Sequence, residues 1–195
     1  EKAGLGWQGK STMMLSPGVG PWQLIGNIYV EKRFEIENEK DYSCGSCNLC
    51  QISCPTGALD EEYILDSNKC ISYWLQSPDI IPHEMREKLG NRFYGCDDCL
   101  ISCPIGQDKK INIVNNSSVN LIEILETESE ELVEKYNWFY IPNRDGIYLK
   151  RNAIIALANN PSRDSKETFI NLLDSESDLV RFYCIWAFWR IGEFN

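Results

Sequence analysis

Residues 44–55 read Cys-Gly-Ser-Cys-Asn-Leu-Cys-Gln-Ile-Ser-Cys-Pro, which places four cysteines at the spacing C-x2-C-x2-C-x3-C-P. A cubane iron–sulfur cluster needs one thiolate on each of its four irons, and a tight loop with cysteine at every third position supplies three. The fourth cysteine of such a run ligates a second cluster. This stretch therefore predicts a domain that holds two clusters.

A second cysteine group follows at residues 93–104, which read Phe-Tyr-Gly-Cys-Asp-Asp-Cys-Leu-Ile-Ser-Cys-Pro. When it is superposed on the first group, Phe93 stands where Cys44 would stand, and Cys70 becomes the candidate for the missing thiolate. We assign cluster 1 to Cys44, Cys47, Cys50 and Cys103. Cluster 2 then takes Cys54, Cys70, Cys96 and Cys99, because the last cysteine of each run crosses to the other cluster.

Three other readings of the cysteines compete with this one. Two structural zinc sites would use the C-x2-C pairs but not the longer run. A disulfide framework does not suit the tight spacing. A plain two-cluster ferredoxin is the serious rival, because it needs only the middle of the chain. The ninth cysteine, Cys184, stands apart in a helical pattern and is expected to serve packing.

Composition limits the remaining possibilities. The 195 residues are 43% hydrophobic and include six Trp, which excludes a disordered chain. No stretch of eighteen apolar residues occurs, so we expect no membrane span. The net charge of −10 argues against a general polyanion binder, although a local basic face remains open. No signal peptide is visible, so we expect a cytoplasmic protein, and both ends suggest a fragment.

The Gly-rich stretch at residues 4–11 fits the phosphate-loop pattern G-x-x-x-x-G-K-S as well as G-x-G-x-x-G. Such a loop needs a buried strand before it and a helix after it. Only three residues precede it here, and Pro17 follows closely. We therefore disfavour nucleotide hydrolysis.

Five motifs occur in order along the chain: AGLGWQGK at residues 3–10, the cysteine run at 44–55, CISY at 70–73, IP at 81–82 and GNRFYGCD at 90–97. In this combination the chain resembles epoxyqueuosine reductase over nearly its whole length. That family is cobalamin-dependent, holds two [4Fe-4S] clusters and completes queuosine in the anticodon loop of tRNA.

The resemblance implies an α+β fold built from several parts. Residues 1–35 would be a remnant of an α/β corrinoid-binding domain, and residues 36–112 a two-cluster ferredoxin-like domain. A helical linker would cover 113–145, and HEAT-like helical repeats 146–195. Cluster 2 would lie nearer the corrinoid, with cluster 1 as the entry port for electrons, and reduced cobalt would remove the epoxide oxygen to leave a cyclopentene and water.

Site residues also follow from the resemblance. Ser72 and Asp97 would touch the corrinoid, and Met14 and Ile25 would line its pocket. The proton donor of the family is an Asp that we expect upstream of residue 1, so no catalytic residue is assigned. Asp97 and its neighbour Asp98 are not assigned as that proton donor, because an Asp beside a cluster ligand more often serves capping or solubility. His83, the only His, is expected at an exposed helix start and not as a ligand or general base.

The carboxy-terminal third shows a repeat of 31 residues, in which the pattern of residues 149–157 recurs at 180–188. We expect an acidic helix over 123–134, a turn at 142–146 and a helix over 168–174 between the two copies. This spacing is typical of HEAT-type helix pairs, which bury their faces by stacking.

Basic residues of the repeat predict a stripe that contacts tRNA phosphates. Lys150 and Arg181 are equivalent positions, and Arg151 is the third tRNA-binding candidate; Arg163, Lys166 and Arg190 lie nearby in sequence. The alternative is that these are scattered solvated charges.

The sequence thus predicts a monomeric enzyme that reduces epoxyqueuosine in a tRNA anticodon stem-loop, with a low-potential electron donor as its second partner and no membrane contact. The rival from another class is a ferredoxin-type electron carrier with a helical protein-interaction tail. A third hypothesis is that a protein of the same fold and cofactors reduces a different substrate.

Overall fold

The computed structural model describes residues 4–32, 42–107 and 119–192. It divides into two compact units: unit 1 comprises Glu1–Lys69 and Asp97–Ser117, and unit 2 comprises Cys70–Cys96 and Ser118–Asn195. The domain boundaries predicted at 35–36 and 112–113 lie outside the described residues, and so does Ala3 of the Gly-rich motif.

Unit 1 begins with a β-hairpin. Strands β1 (Trp7–Gln8) and β2 (Met14–Leu15) pair antiparallel, with Trp7 opposite Leu15. Gly6 must be glycine because a Cβ there would lie 1.9 Å from the carbonyl oxygen of Leu15. The Gly-rich stretch therefore forms a hairpin and not the strand, loop and helix of a phosphate-binding loop, as its sequence context indicated.

Two short helices of unit 1 carry the cysteine runs. Helix α1 (Leu49–Ser53) contains Cys50, helix α4 (Asp98–Ile101) contains Cys99, and the two helices pack together. Helix α1 ends at Ser53. The next residue, Cys54, has extended backbone (φ −70°, ψ 113°), because the following Pro55 disfavours helical backbone at the residue before it.

Unit 2 is helical and is built around one long buried helix. Its elements are α2 (Ile71–Gln76), α3 (His83–Lys88), α5 (Leu121–Glu126), α6 (Ser129–Lys135), α7 (Ile147–Asn159), α8 (Arg163–Leu172) and α9 (Asp178–Arg190). Helix α7 packs against α2, α3, α5, α8 and α9, and its residues 151–156 are all buried. Helices α7 and α9 begin and end 31 residues apart, which matches the sequence repeat.

Local details of unit 2 differ from the sequence prediction. The acidic helix predicted over 123–134 is two helices, because Thr127 and Glu128 have extended backbone and the Thr127 hydroxyl donates to the carbonyl of Glu123. Helix α8 starts earlier than predicted, because Ser162 caps it in a reciprocal pair of hydrogen bonds with Ser165. The turn predicted at 142–146 is present as a 3-10 turn at Pro142–Arg144.

Arg151 corrects one of the predicted tRNA contacts. Its side chain is fully buried, and its guanidinium donates to the carbonyl oxygens of Ser77 (2.7 Å), Asp79 (3.0 Å) and Trp74 (3.2 Å). Burial lowers the pKa of Arg151 to about 10, so the group remains a cation at neutral pH. Arg151 therefore serves the core of unit 2 and does not belong to a surface that tRNA can reach.

Two other predictions for single residues are confirmed. Cys184 is completely buried in the core of unit 2, and burial raises the pKa of its thiol to about 12. His83 is the exposed first residue of α3, and its ring stands edge-on against Trp189 at a centroid distance of 4.9 Å. Within the described ranges, every helix is too short or too polar to cross a membrane.

We expect Arg151→Met to lower the free energy of unfolding by about 3 kcal/mol, because the buried carbonyls of Ser77 and Trp74 and the partly buried carbonyl of Asp79 would lose their donor. The exposed Arg163 gives the matched control, since Arg163→Met should change stability by less than about 0.5 kcal/mol. Urea unfolding followed by circular dichroism measures both. Equal stability of the two variants would contradict the structural role of Arg151.

Candidate iron–sulfur centre

Four thiols line one cavity in unit 1. They belong to Cys44, Cys47, Cys50 and Cys103, which are the cysteines that the sequence assigns to cluster 1. Cys44 and Cys47 lie on a tight turn closed by a hydrogen bond from the N–H of Cys47 to the carbonyl of Cys44 (3.1 Å). Helix α1 carries Cys50, and the segment after α4 carries Cys103.

The remaining walls of this cavity are mostly apolar, with one basic side chain. Leu15, Pro104 and Ile105 line it together with the hydroxyl residues Ser11 and Ser43, and Lys10 completes the wall. A mostly apolar lining gives the cavity a lower effective dielectric constant than bulk water. Charges placed inside it would therefore interact more strongly than charges at the surface.

Two of the thiols in this cavity, those of Cys50 and Cys103, have a raised pKa. Burial raises the pKa of Cys50 and of Cys103, and the neighbouring Cys44 and Cys47 raise both further by charge repulsion. Several thiolates held this close together need positive charge among them. Iron supplies that charge, so the donor set fits an iron–sulfur cluster.

The geometry of the cavity fits a cluster better than a single zinc ion. A zinc site brings its four ligands to within about 2.3 Å of one point. Among the residues that the structure describes, no group of three His, Cys, Asp or Glu side chains could hold a single metal ion. A cubane spreads its thiolates over four irons and suits cysteines that surround a cavity.

Cys54, predicted for cluster 2, has a different environment. The N–H of Ala58 lies 3.3 Å from its sulfur, and the hydroxyl oxygen of Thr56 lies 3.6 Å from it. Burial alone would raise the pKa of Cys54, but the hydrogen bonds from Thr56 and from backbone N–H groups together lower it. Hydrogen bonds to sulfur stabilise a thiolate, which is the form of cysteine that binds metal, so Cys54 is suited to be a metal ligand.

The other residues predicted for cluster 2 are divided between the units. Cys99 lies in unit 1 with Cys54, whereas Cys70 and Cys96 belong to unit 2. Cys70 directly precedes α2, and all of these cysteines are half-buried. The ligand set of cluster 2 stays a prediction.

The residues predicted to contact a corrinoid are also found in both units. In unit 1, Met14 is half-buried in β2, Ile25 is exposed, and Asp97 is exposed immediately before α4. In unit 2, the Ser72 hydroxyl accepts a hydrogen bond from Gln76 Nε2 (2.9 Å) within α2. These roles stay predictions.

Two candidates remain for the basic stripe after Arg151 is removed. Lys150 is half-buried on α7, and Arg181 is half-buried on α9, where its guanidinium pairs with Asp178 and the carbonyl of Ser175. Arg190 forms an ion pair with Glu87 (3.5 Å). The stripe is therefore partly engaged in local ion pairs.

Sequence reasoning missed the part that Lys10 plays at this cavity. Its Nζ donates to the carbonyl of Gly45 (2.8 Å) and forms an ion pair with Glu62 (2.7 Å). The only signal in the sequence was the position of Lys10 in the motif AGLGWQGK, where it suggested a phosphate loop.

We expect Cys103→Ser to lose one cluster and therefore about half of the iron, because a hydroxyl is a poor replacement for a thiolate ligand. Cys184→Ala provides the control, since Cys184 lies in the core of unit 2 and should leave iron binding unchanged. Iron and sulfide analysis after anaerobic reconstitution measures both. Full iron content in the Cys103 variant would contradict the assignment.

Comparisons with known proteins agree with this site. The family model described as "4Fe-4S double cluster binding domain" matches residues 43–106. This range includes all eight cysteines assigned to the clusters and excludes Cys184.

Similarity to complete proteins extends over almost the whole chain. Epoxyqueuosine reductase of Bacillus anthracis is 33% identical over 98% of this chain and 53% of its own length. A Geobacillus stearothermophilus protein, described as an uncharacterized protein in the gldA 3' region, is 35% identical over 89% of this chain and 84% of its own length. The chain spans about half the length of the epoxyqueuosine reductases it matches.

A solved structure shares the fold. The crystal structure of epoxyqueuosine reductase with an epoxyqueuosine-modified tRNA-Tyr stem loop matches at a TM-score of 0.85 and 30% identity, and the match covers 98% of this chain and 53% of that one. Similarity of sequence and fold over nearly every residue, together with the two cysteine runs, shows that this chain belongs to the epoxyqueuosine reductase family.

Proposed function

We propose that this chain acts in the reduction of epoxyqueuosine to queuosine in tRNA and provides the iron–sulfur part of that oxidoreductase. The observation that carries the proposal is the cavity lined by Cys44, Cys47, Cys50 and Cys103 in a chain that belongs to this family. The reaction consumes two electrons and two protons, breaks the two C–O bonds of the epoxide and releases water.

The proposed cofactors are two [4Fe-4S] clusters and cobalamin, which together would supply the electrons at the epoxide. The residues of this chain hold and protect those groups. Four thiols line the proposed cavity of cluster 1, whose walls are mostly apolar. The hydrogen bond from the N–H of Ala58 stabilises the thiolate of Cys54. Met14, Ile25, Ser72 and Asp97 are the proposed corrinoid contacts. No residue of this chain is assigned as proton donor.

We propose unit 2 as the part that contacts tRNA. The pairing of α7 with α9 at the 31-residue spacing supports a HEAT-like arrangement, and the related structure contains a tRNA stem loop. Lys150 and Arg181 are the remaining phosphate-binding candidates. The enzyme would act in the cytoplasm as a monomer and would take electrons from a low-potential donor.

The rival function is a ferredoxin-type electron carrier with a helical protein-interaction tail. It accounts for the match over residues 43–106 but gives no reason for similarity to epoxyqueuosine reductases through α7, α8 and α9. Binding of a corrinoid separates the two functions, because a carrier has no use for one.

We expect cob(II)alamin to give a base-off EPR signal when the protein, reconstituted with iron and sulfide, is added under anaerobic conditions. Asp97→Ala and Ser72→Ala should perturb that signal, whereas Glu84→Ala, an exposed substitution in α3, should leave it unchanged. A signal of free cobalamin beside two intact clusters, also in a protein extended to the full length of the relatives, would favour the electron carrier.

We expect Arg181→Gln and Lys150→Gln each to weaken tRNA binding and to reduce the slope of log affinity against log salt by about 1, because each removes one phosphate contact. Lys88→Gln, an exposed change on α3, is the matched control. Filter binding at several salt concentrations measures the slopes. Slopes equal to that of the wild type would contradict the proposal that Lys150 and Arg181 contact tRNA phosphates.

A further inference from the structure

Lys10 is a buried cation beside the cavity of cluster 1. Its side chain is only 6% exposed, although it lies in the turn of a hairpin, where lysine is normally solvated. The Nζ atom donates to the carbonyl of Gly45 at 2.8 Å and lies 2.7 Å from a carboxylate oxygen of Glu62. Lys10 lines the cavity together with the four cysteines.

The contact with Gly45 fixes the turn that carries two of the thiols. Gly45 lies between Cys44 and Cys47 in the left-handed region (φ +52°), and the turn is closed by the N–H of Cys47. A donor on the Gly45 carbonyl sets the orientation of that peptide. The backbone carbonyl of Lys10 also accepts from the N–H of Tyr63 (3.2 Å), so the hairpin is held to the segment that carries Glu62.

The charge of Lys10 acts on the cavity more strongly than the charge of its partner. Glu62 has a side chain that is 53% exposed, so water screens about half of its surroundings and its carboxylate has a weaker effect on the cavity than the enclosed ammonium. The hydrogen bond to Glu62 raises the pKa of Lys10, and nearby Cys44 favours the cation as well. The cavity therefore contains a permanent positive charge at its edge.

A cluster held by four thiolates is an anion, and one-electron reduction adds a further negative charge. A fixed cation nearby stabilises the more negative state more strongly, because Coulomb energy is proportional to charge. We propose that Lys10 is a positioning residue of cluster 1, which holds the Cys44–Cys47 turn through Gly45 and raises the reduction potential of that cluster. This inference rests on the proposed binding of cluster 1 by this cavity.

The test is an anaerobic redox titration of the reconstituted protein, monitored by EPR, with two midpoints expected for two clusters. In Lys10→Met we expect the ratio of reduced to oxidised cluster 1, at a fixed solution potential, to fall at least tenfold, which is about 59 mV for one electron. Lys10→Arg should keep the ratio within about twofold of the wild type because it retains the charge. The midpoint of cluster 2 should move less.

Lys69→Met is the matched control, because it removes the same charge from an exposed lysine of unit 1 that pairs with Asp60 and does not line the cavity. An unchanged midpoint in a Lys10→Met protein that holds both clusters would overturn the proposal, and so would equal shifts in the Lys10 and Lys69 variants.

Glu62→Gln keeps the test decisive if Lys10→Met fails to hold cluster 1. This variant retains Lys10 and its bond to Gly45 while it removes the opposing carboxylate, so the ratio of reduced to oxidised cluster 1 should rise at least twofold. No rise would overturn the electrostatic role. Iron and sulfide content of the wild type reports separately on cluster binding, since a wild type without cluster 1 would contradict the proposed function and not only the role of Lys10.

Discussion

Mutual repulsion of thiolates is the physical constraint on which unit 1 depends. Four thiolates that face one mostly apolar cavity repel one another unless positive charge lies among them. Burial raises the pKa of Cys50 and of Cys103, and the neighbouring Cys44 and Cys47 raise both further. Short helices, a tight turn and the buried Lys10 hold the cysteines in place, so metal binding and local folding are coupled.

Unit 2 also contains a buried cation, the guanidinium of Arg151, which donates hydrogen bonds to backbone carbonyls. Arg151 lies in the middle of α7 and satisfies the carbonyls at and beyond the end of α2, which a helix end leaves without donors. The hydroxyl of Tyr183 on α9 accepts from the N–H of Ile81 in the same region (2.8 Å). Polar side chains from the two repeated helices thereby fix the segment that leads from α2 to α3, where apolar packing alone would leave its backbone groups unpaired.

The sequence predicted the cluster cysteines, whose spacing follows from ligand chemistry. It did not predict the surroundings of Arg151 and Lys10, which depend on tertiary packing. A cubane fixes the spacing of its ligands, so the cavity cysteines could be selected from the two runs alone. The 31-residue repeat also predicted the positions of α7 and α9. It aligned Arg151 with the exposed Phe182, however, and a shared helical pattern does not reveal that α7 is covered by five other helices. The environment of Lys10 depends on Gly45 and Glu62, which are 35 and 52 positions away, so no local pattern could indicate it.

Two ways of stabilising a thiolate occur side by side in unit 1. Cys54 receives hydrogen bonds from Ala58 and Thr56, whose dipoles act over a short distance and lower the pKa of that one sulfur. The cavity of cluster 1 instead has a whole charge at Lys10, whose field decays slowly in an apolar surrounding and acts on the cluster as one body. Hydrogen-bond dipoles change the pKa of a single thiol ligand, whereas a buried charge changes the reduction potential of the whole cluster. The proposed transfer of single electrons would need the second kind of control. The lysine of the Gly-rich motif is therefore explained by its contacts beside the cysteines and not by a phosphate loop.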